Sequence, residues 1–153
     1  MTPFYAALPF ACLLAFASWT DIKSRRIPNL VSAITFLLGM AWAVNSPGWE
    51  PSLYHLAHFG VALLIGMALF GLGFWGGGDG KFYAAVAAWF ALPDFFRLMF
   101  MISLSGLLLL LVMFGMRKFG RLEKGAGSVP YGVAISAGAF ATFCFVHFRA
   151  GLW

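Results

Sequence analysis

Long apolar runs separated by short polar breaks make up almost the whole chain. Runs over about 4–20, 29–45, 54–75, 81–93, 95–116 and 129–148 fall near the roughly 20 apolar residues a helix needs to cross a bilayer. The fourth run is short. The Pro93–Asp94 pair behind it predicts a tight turn, because proline disfavours helix in the residue before it. Strong breakers stand at Pro28-Asn29 and Gly76-Gly77-Gly78. The pattern predicts an all-α polytopic membrane helical bundle of about six transmembrane helices, organised as a single domain over 1–153.

Composition agrees with the pattern. Of 153 residues 62% are hydrophobic and 10% charged, against about 25% charged in soluble domains. In a soluble chain the net charge of +5 would suggest nucleic acid. Here the cations sit in the breaks between apolar runs, and no stacking platform or base-reading motif accompanies them. The lipid bilayer is the expected partner, with no nucleic acid. Lys23, Arg25, Arg26, Lys81, Arg117, Lys118, Arg121 and Lys124 fall on one side of the six-span topology, and Arg97 and Arg149 on the other. Short loops rich in Lys and Arg stay in the cytoplasm, so both termini face outward. Ala15-Phe16-Ala17 resembles a signal cleavage site, but Met1 to Leu14 holds no Lys or Arg. The first run therefore reads as a span, since a signal peptide has a positive start. Cys12 and Cys144 lie inside apolar runs without CxxC spacing, which suits small buried hydrophobes and gives no zinc or disulfide framework.

The acidic residues carry the chemistry. There are five: Asp21, Glu50, Asp79, Asp94 and Glu123. Asp21 and Asp79 stand at the ends of the first and third runs, both on the cytoplasmic side of the even-numbered topology. A carboxylate at a membrane boundary is costly and is read first as functional. Asp21 opens Asp21-Ile22-Lys23-Ser24-Arg25-Arg26-Ile27-Pro28-Asn29. The basic residues there are explained by orientation alone, and Asp21 is explained otherwise only as a partner of Arg25 one helical turn on. Asp79 lies in Gly76-Gly77-Gly78-Asp79-Gly80-Lys81, a run that frees the backbone for unusual dihedrals and close approach. It is no Walker loop, because Trp75 and Phe82 stand where glycine and a hydroxyl would be required. Two adjacent carboxylates share a proton, which suits them to acid–base hydrolysis of an amide. The glycine run would let an extended peptide lie against Asp79.

Gly76-Gly77-Gly78-Asp79 fits a GxGD pattern, and the chain resembles the prepilin peptidases, a family of intramembrane aspartic proteases. The likeness is strongest to the short, single-domain type serving tight-adherence (Flp-type) pili. Asp21 with Arg26-Ile27-Pro28-Asn29 is similar to that family's first-aspartate motif, and Val129-Pro130-Tyr131-Gly132-Val133-Ala134 to its motif at the start of the last span. The resemblance implies that Asp21 and Asp79 are the catalytic pair, with no metal and no cofactor. It implies a type IV prepilin or pseudopilin substrate, cut at the cytoplasmic face of a bacterial inner membrane to release a short basic leader. Longer members carry a paired-CxxC domain and also N-methylate the new terminus. This chain has no CxxC, so peptidase activity without methylation is expected.

Several further residues have more than one reading. Gly76 and Gly78 either shape the substrate groove or pack helices. Lys81 either holds a carboxylate ionised, meets an acidic substrate residue, or anchors at the interface. Asn29 is read first as a helix N-cap and otherwise as a hydrogen-bonding group near the pair. Pro28, Pro130 and Tyr131 shape the site or simply start helices. His55 and His58, three apart, face the outer side with no third ligand. The 18 phenylalanines and six tryptophans are expected mostly to face lipid or its interface. Gly125-Ala126-Gly127-Ser128 in the 117–128 loop is either a gate or a plain connection. Two other functions stay open. In a small proton-coupled transporter the aspartates would be relay groups, which belong nearer the midplane. A non-catalytic pilus-assembly subunit would tolerate Asp79→Asn.

Overall fold

The computed structural model describes residues 4–45, 48, 50–118 and 129–149. They form six α-helices: α1 (Phe4–Ser24), α2 (Asn29–Val44), α3 (Glu50–Gly71), α4 (Gly77–Ala87), α5 (Phe95–Lys118) and α6 (Tyr131–Arg149), with a short 3-10 turn at Leu92–Asp94. No strand occurs among the described residues. Every apolar run predicted from the sequence becomes a helix. Three segments, Ala6–Ser24, Glu50–Gly71 and Leu92–Lys118, are long and apolar enough to cross a bilayer, and α2 and α6 are shorter apolar helices. In α5 Leu107, Leu108, Leu111 and Phe114 stand exposed, a continuous apolar surface that calls for lipid.

The architecture is set by α4. At 11 residues it extends only about 17 Å at 1.5 Å per residue, by itself short of the roughly 30 Å hydrocarbon core of a bilayer. It is instead the centre of the bundle. Beyond the exposed Lys81, every side chain from Phe82 to Phe90 is buried, at most 2% exposed, as expected of a helix apolar on all faces. Helices α2, α3 and α6 pack on it, while α5 and α1 pack on α6. Trp89 stacks on Phe10 of α1 at 4.3 Å between ring centroids, and Phe143 of α6 lies 5.3 Å from Phe10. These rings are core, an exception to the expectation that the aromatics mostly face lipid, while Phe16, Trp19, Phe70, Phe96 and Phe114 stand exposed. Trp89 also donates its indole N–H to the Thr35 carbonyl at 2.8 Å.

A helix that ends inside a bundle leaves carbonyls without water to satisfy them. Two histidines of α3 meet that need. His55 Nδ1 lies 2.8 Å from the Ala88 carbonyl oxygen and His58 Nδ1 lies 3.0 Å from that of Phe90. A carbonyl only accepts, so Nδ1 carries the proton in both rings. Both histidines are buried and act as caps at the end of α4. Close approach of α3 and α4 is possible because Gly66 faces Gly80. A Cβ on Gly66 would stand 2.8 Å from the Gly80 Cα.

Candidate functional site

Helix α1 runs on past its apolar stretch and carries Asp21 in its last turn. It ends at Arg25, whose φ of 55° is left-handed and strained for a side chain of that size. The Arg25 N–H donates to the Asp21 backbone carbonyl at 2.9 Å, closing the final turn. The Asp21 side chain is buried at 5% exposure. Its Oδ2 accepts the Gly132 N–H at 2.8 Å. Gly132 lies in the first turn of α6, where helix N–H groups have no partner within the helix. The start of α6 thus supplies a ready donor for a buried carboxylate.

Asp79 occupies the first turn of α4. Its Oδ2 accepts the Gly76 N–H at 3.2 Å, so the carboxylate caps the helix that carries it. Its carboxyl group is pushed up to about 6 by burial first and by the nearby Asp21 charge second, with the Gly76 N–H pulling the other way. Gly132, which donates to Asp21, and Gly78, the neighbour of Asp79, both lie against Ile27, so the fold brings the two aspartates to one end of the bundle.

Ile27 joins the two halves. It is buried at 6%, and its Cδ1 lies where a Cβ on Gly132 would come within 2.8 Å. Its backbone runs past Gly78, whose Cβ would stand 3.5 Å from the Ile27 carbonyl oxygen. The link between α1 and α2 is therefore threaded between the starts of α4 and α6. Neither Ile27 nor Gly132 was singled out from the sequence. The available signal was one apolar residue between basic Arg25-Arg26 and Pro28, together with a glycine inside the Pro130-Tyr131-Gly132 motif.

Other sequence candidates fall around this centre with altered roles. Gly77-Gly78-Asp79-Gly80 is helical, not the free loop that glycine suggests, because the packing of Gly80 on Gly66 outweighs the propensity. Gly76 is the N-cap of α4 and has no room for a side chain, since a Cβ would meet Asp79 Oδ2 at 2.9 Å. Pro28 is the N-cap of α2 and makes no side-chain capping bond, so Asn29 is the first helical residue and not the cap. Asn29 Oδ1 accepts instead from Lys81 Nζ at 3.4 Å. Pro130 is buried and its carbonyl accepts the Val133 N–H at 3.1 Å, opening α6. The Tyr131 ring lies 6.2 Å from that of Trp75, which in turn meets Tyr83 edge-on at 5.4 Å. Residues 119–128, most of the 117–128 loop, lie outside the described residues.

A sequence model of the type IV leader peptidase family matches residues 8–120. No curated protein and no solved structure matches the chain.

Proposed function

The chain belongs to the type IV leader peptidase family, and from that premise we propose that it cleaves prepilins with Asp21 and Asp79 as an aspartic dyad. The observation that carries the reading is the placement of Asp21 and Asp79 on either side of Ile27, through Gly132 and Gly78, with Asp79 raised to about 6 by burial first and by the Asp21 charge second. Two carboxyls held this way share one proton between them. The ionised member takes a proton from water as general base. The protonated member donates its proton to the scissile carbonyl, and the proton taken from water passes on to the leaving amine. The Gly132 N–H fixes Asp21 and the Gly76 N–H fixes Asp79, so the rotamers are set before substrate arrives. Neither step calls for a metal or cofactor.

The substrate is a type IV or Flp-type prepilin whose short basic leader stays in the cytoplasm. The chain sits in the bacterial inner membrane with the site facing the cytoplasm and both termini outward. Gly76, Gly78, Pro28, Asn29, Lys81, Pro130 and Tyr131 surround the pair as site-shaping residues. Tyr131 and Trp75 border an apolar cavity of about 270 Å³ that also reaches Ile102, Gly106 and Ile135, a place for substrate side chains beside the scissile bond.

Co-expression with an Flp-type prepilin in a host lacking its own peptidase tests this by pilin mass. Leader loss is expected with the intact chain, and none with Asp21→Asn or Asp79→Asn. Cleavage that survives both substitutions moves the chemistry elsewhere.

A further inference from the structure

A second cavity, also about 270 Å³, opens between α2, α3 and α4 on the side of α4 away from Tyr131. Its lining is ordered by polarity. Lys81 and Asn29 stand together, Nζ to Oδ1 at 3.4 Å. Ser32, one helical turn further along α2, also lines the cavity. Phe36, Phe59 and Leu63 then form a wall without polar side chains.

Two groups in this cavity are left wanting a partner. Lys81 is exposed and has only the neutral Asn29 beside it among the described residues. Ser32 is 7% exposed, and its Oγ is buried without a hydrogen-bond partner. The usual acceptor for a helical serine is the carbonyl four residues back. For Ser32 that is the Pro28 carbonyl, already taken by the Val31 N–H at 3.0 Å and the Ser32 N–H at 3.4 Å. A buried hydroxyl left this way costs free energy. An occupant that supplies an acceptor at that depth recovers it.

We propose that this groove binds an anionic phospholipid, with phosphate at Lys81 and Asn29, an ester carbonyl at Ser32, and an acyl chain along Phe36, Phe59 and Leu63. The sequence anion, acceptor, hydrocarbon is that of such a lipid read from headgroup to tail. A small free anion would satisfy Lys81 and leave Ser32 unpartnered. Lys81 lies two residues beyond Asp79, so the bound headgroup would sit beside the dyad. The lipid site does not depend on the peptidase reading.

The intact chain, purified in detergent and stripped of lipid, is titrated with dioleoylphosphatidylglycerol, dioleoylphosphatidylcholine and glycerol phosphate, following thermal midpoint and bound mass. Phosphatidylglycerol should bind about tenfold tighter than phosphatidylcholine, the size of one charge-assisted contact, and glycerol phosphate should not bind. Lys81→Gln should abolish the preference, and Ala33→Phe, which fills the groove without altering charge, should weaken both lipids. Asp79→Asn should bind as the intact chain does, so loss of cleavage and loss of lipid are read separately. Equal affinity for the two lipids, or a preference that survives Lys81→Gln, overturns the proposal. Glycerol phosphate binding as tightly as the lipid also overturns it, in favour of a bare anion site. So does normal lipid binding by Lys81→Gln together with poorer processing of acidic prepilins, which assigns the groove to peptide.

Discussion

The Gly132 amide and the Asp21 carboxylate, 111 positions apart in the chain, meet at 2.8 Å. The contact ties the last helix to the first at the candidate site. It also leaves no space on Gly132, where a Cβ would come within 2.8 Å of Ile27 and 2.9 Å of Asp21 Oδ2.

Gly132→Ala should therefore displace Asp21 or Ile27. Misplacing a catalytic group by an ångström can cost about a hundredfold. Prepilin processing should fall by that order while helix content and membrane insertion stay unchanged, as circular dichroism and fractionation would show. Full activity in this variant would mean that the contact does not position the carboxylate.

Asp79 should titrate near 6, measurable by carbon-13 NMR of labelled aspartate. Part of that rise comes from the Asp21 charge, so Asp21→Asn should move the Asp79 midpoint downward. A midpoint indifferent to residue 21 would place the two carboxyls too far apart to act as a pair.

The same raised value has a consequence for stability. Between the ordinary 3.8 and about 6 the folded chain holds a proton that the unfolded chain has released. Stability thus falls as pH rises through that window, and the deficit remains at neutral pH. Asp79→Asn should be more stable than the intact chain at pH 7.5. The gain is about 1 kcal/mol once solvent screening at a half-buried site is allowed for. The difference should close as pH falls towards 4, followed by thermal midpoints in detergent.

Two glycines two positions apart should respond in opposite ways. Around Gly78 a Cβ meets nothing nearer than 3.5 Å, whereas at Gly80 it would meet the Gly66 carbonyl oxygen at 3.0 Å and carbon at 3.1 Å. Gly78→Ala should leave the fold intact or steady it by about 0.5–1 kcal/mol, the usual gain of alanine in a helix. Gly80→Ala should cost about 1–3 kcal/mol, because backbone cannot yield as a side-chain tip can. Equal thermal midpoints for the two variants would count against the α3–α4 contact.

His58→Ala should leave the Phe90 carbonyl without its donor in a buried site, at a cost of about 1–3 kcal/mol. His55→Ala should do the same to Ala88. A variant as stable as the intact chain would show that another group caps α4.

Much of this arrangement was legible in the sequence, for particular reasons. The helices follow from apolar runs bounded by Pro28, the glycine run and Pro93. The shared end of Asp21 and Asp79 follows from counting spans between them. Three features were hidden. Hydropathy cannot separate a ring that faces lipid from one that faces its neighbours, so Phe10, Trp89, Phe90 and Phe143 gave no sign of forming the core. Glycine propensity favours a loop at 77–80, and only the presence of Gly66 opposite reverses it. The capping role of the histidines was hidden because no sequence rule says that α4 ends where they can reach its carbonyls.

That ending gives α4 the mechanics of a strut. One end bears Asp79. The other, about 17 Å away at 1.5 Å per residue, is followed by the Ala88 and Phe90 carbonyls held on His55 and His58. With the flanks pressed close at Gly66 and Gly80, the helix has little freedom to slide. The position of the Asp79 carboxylate along the bundle axis is thus registered by two buried imidazoles at the opposite end of the helix.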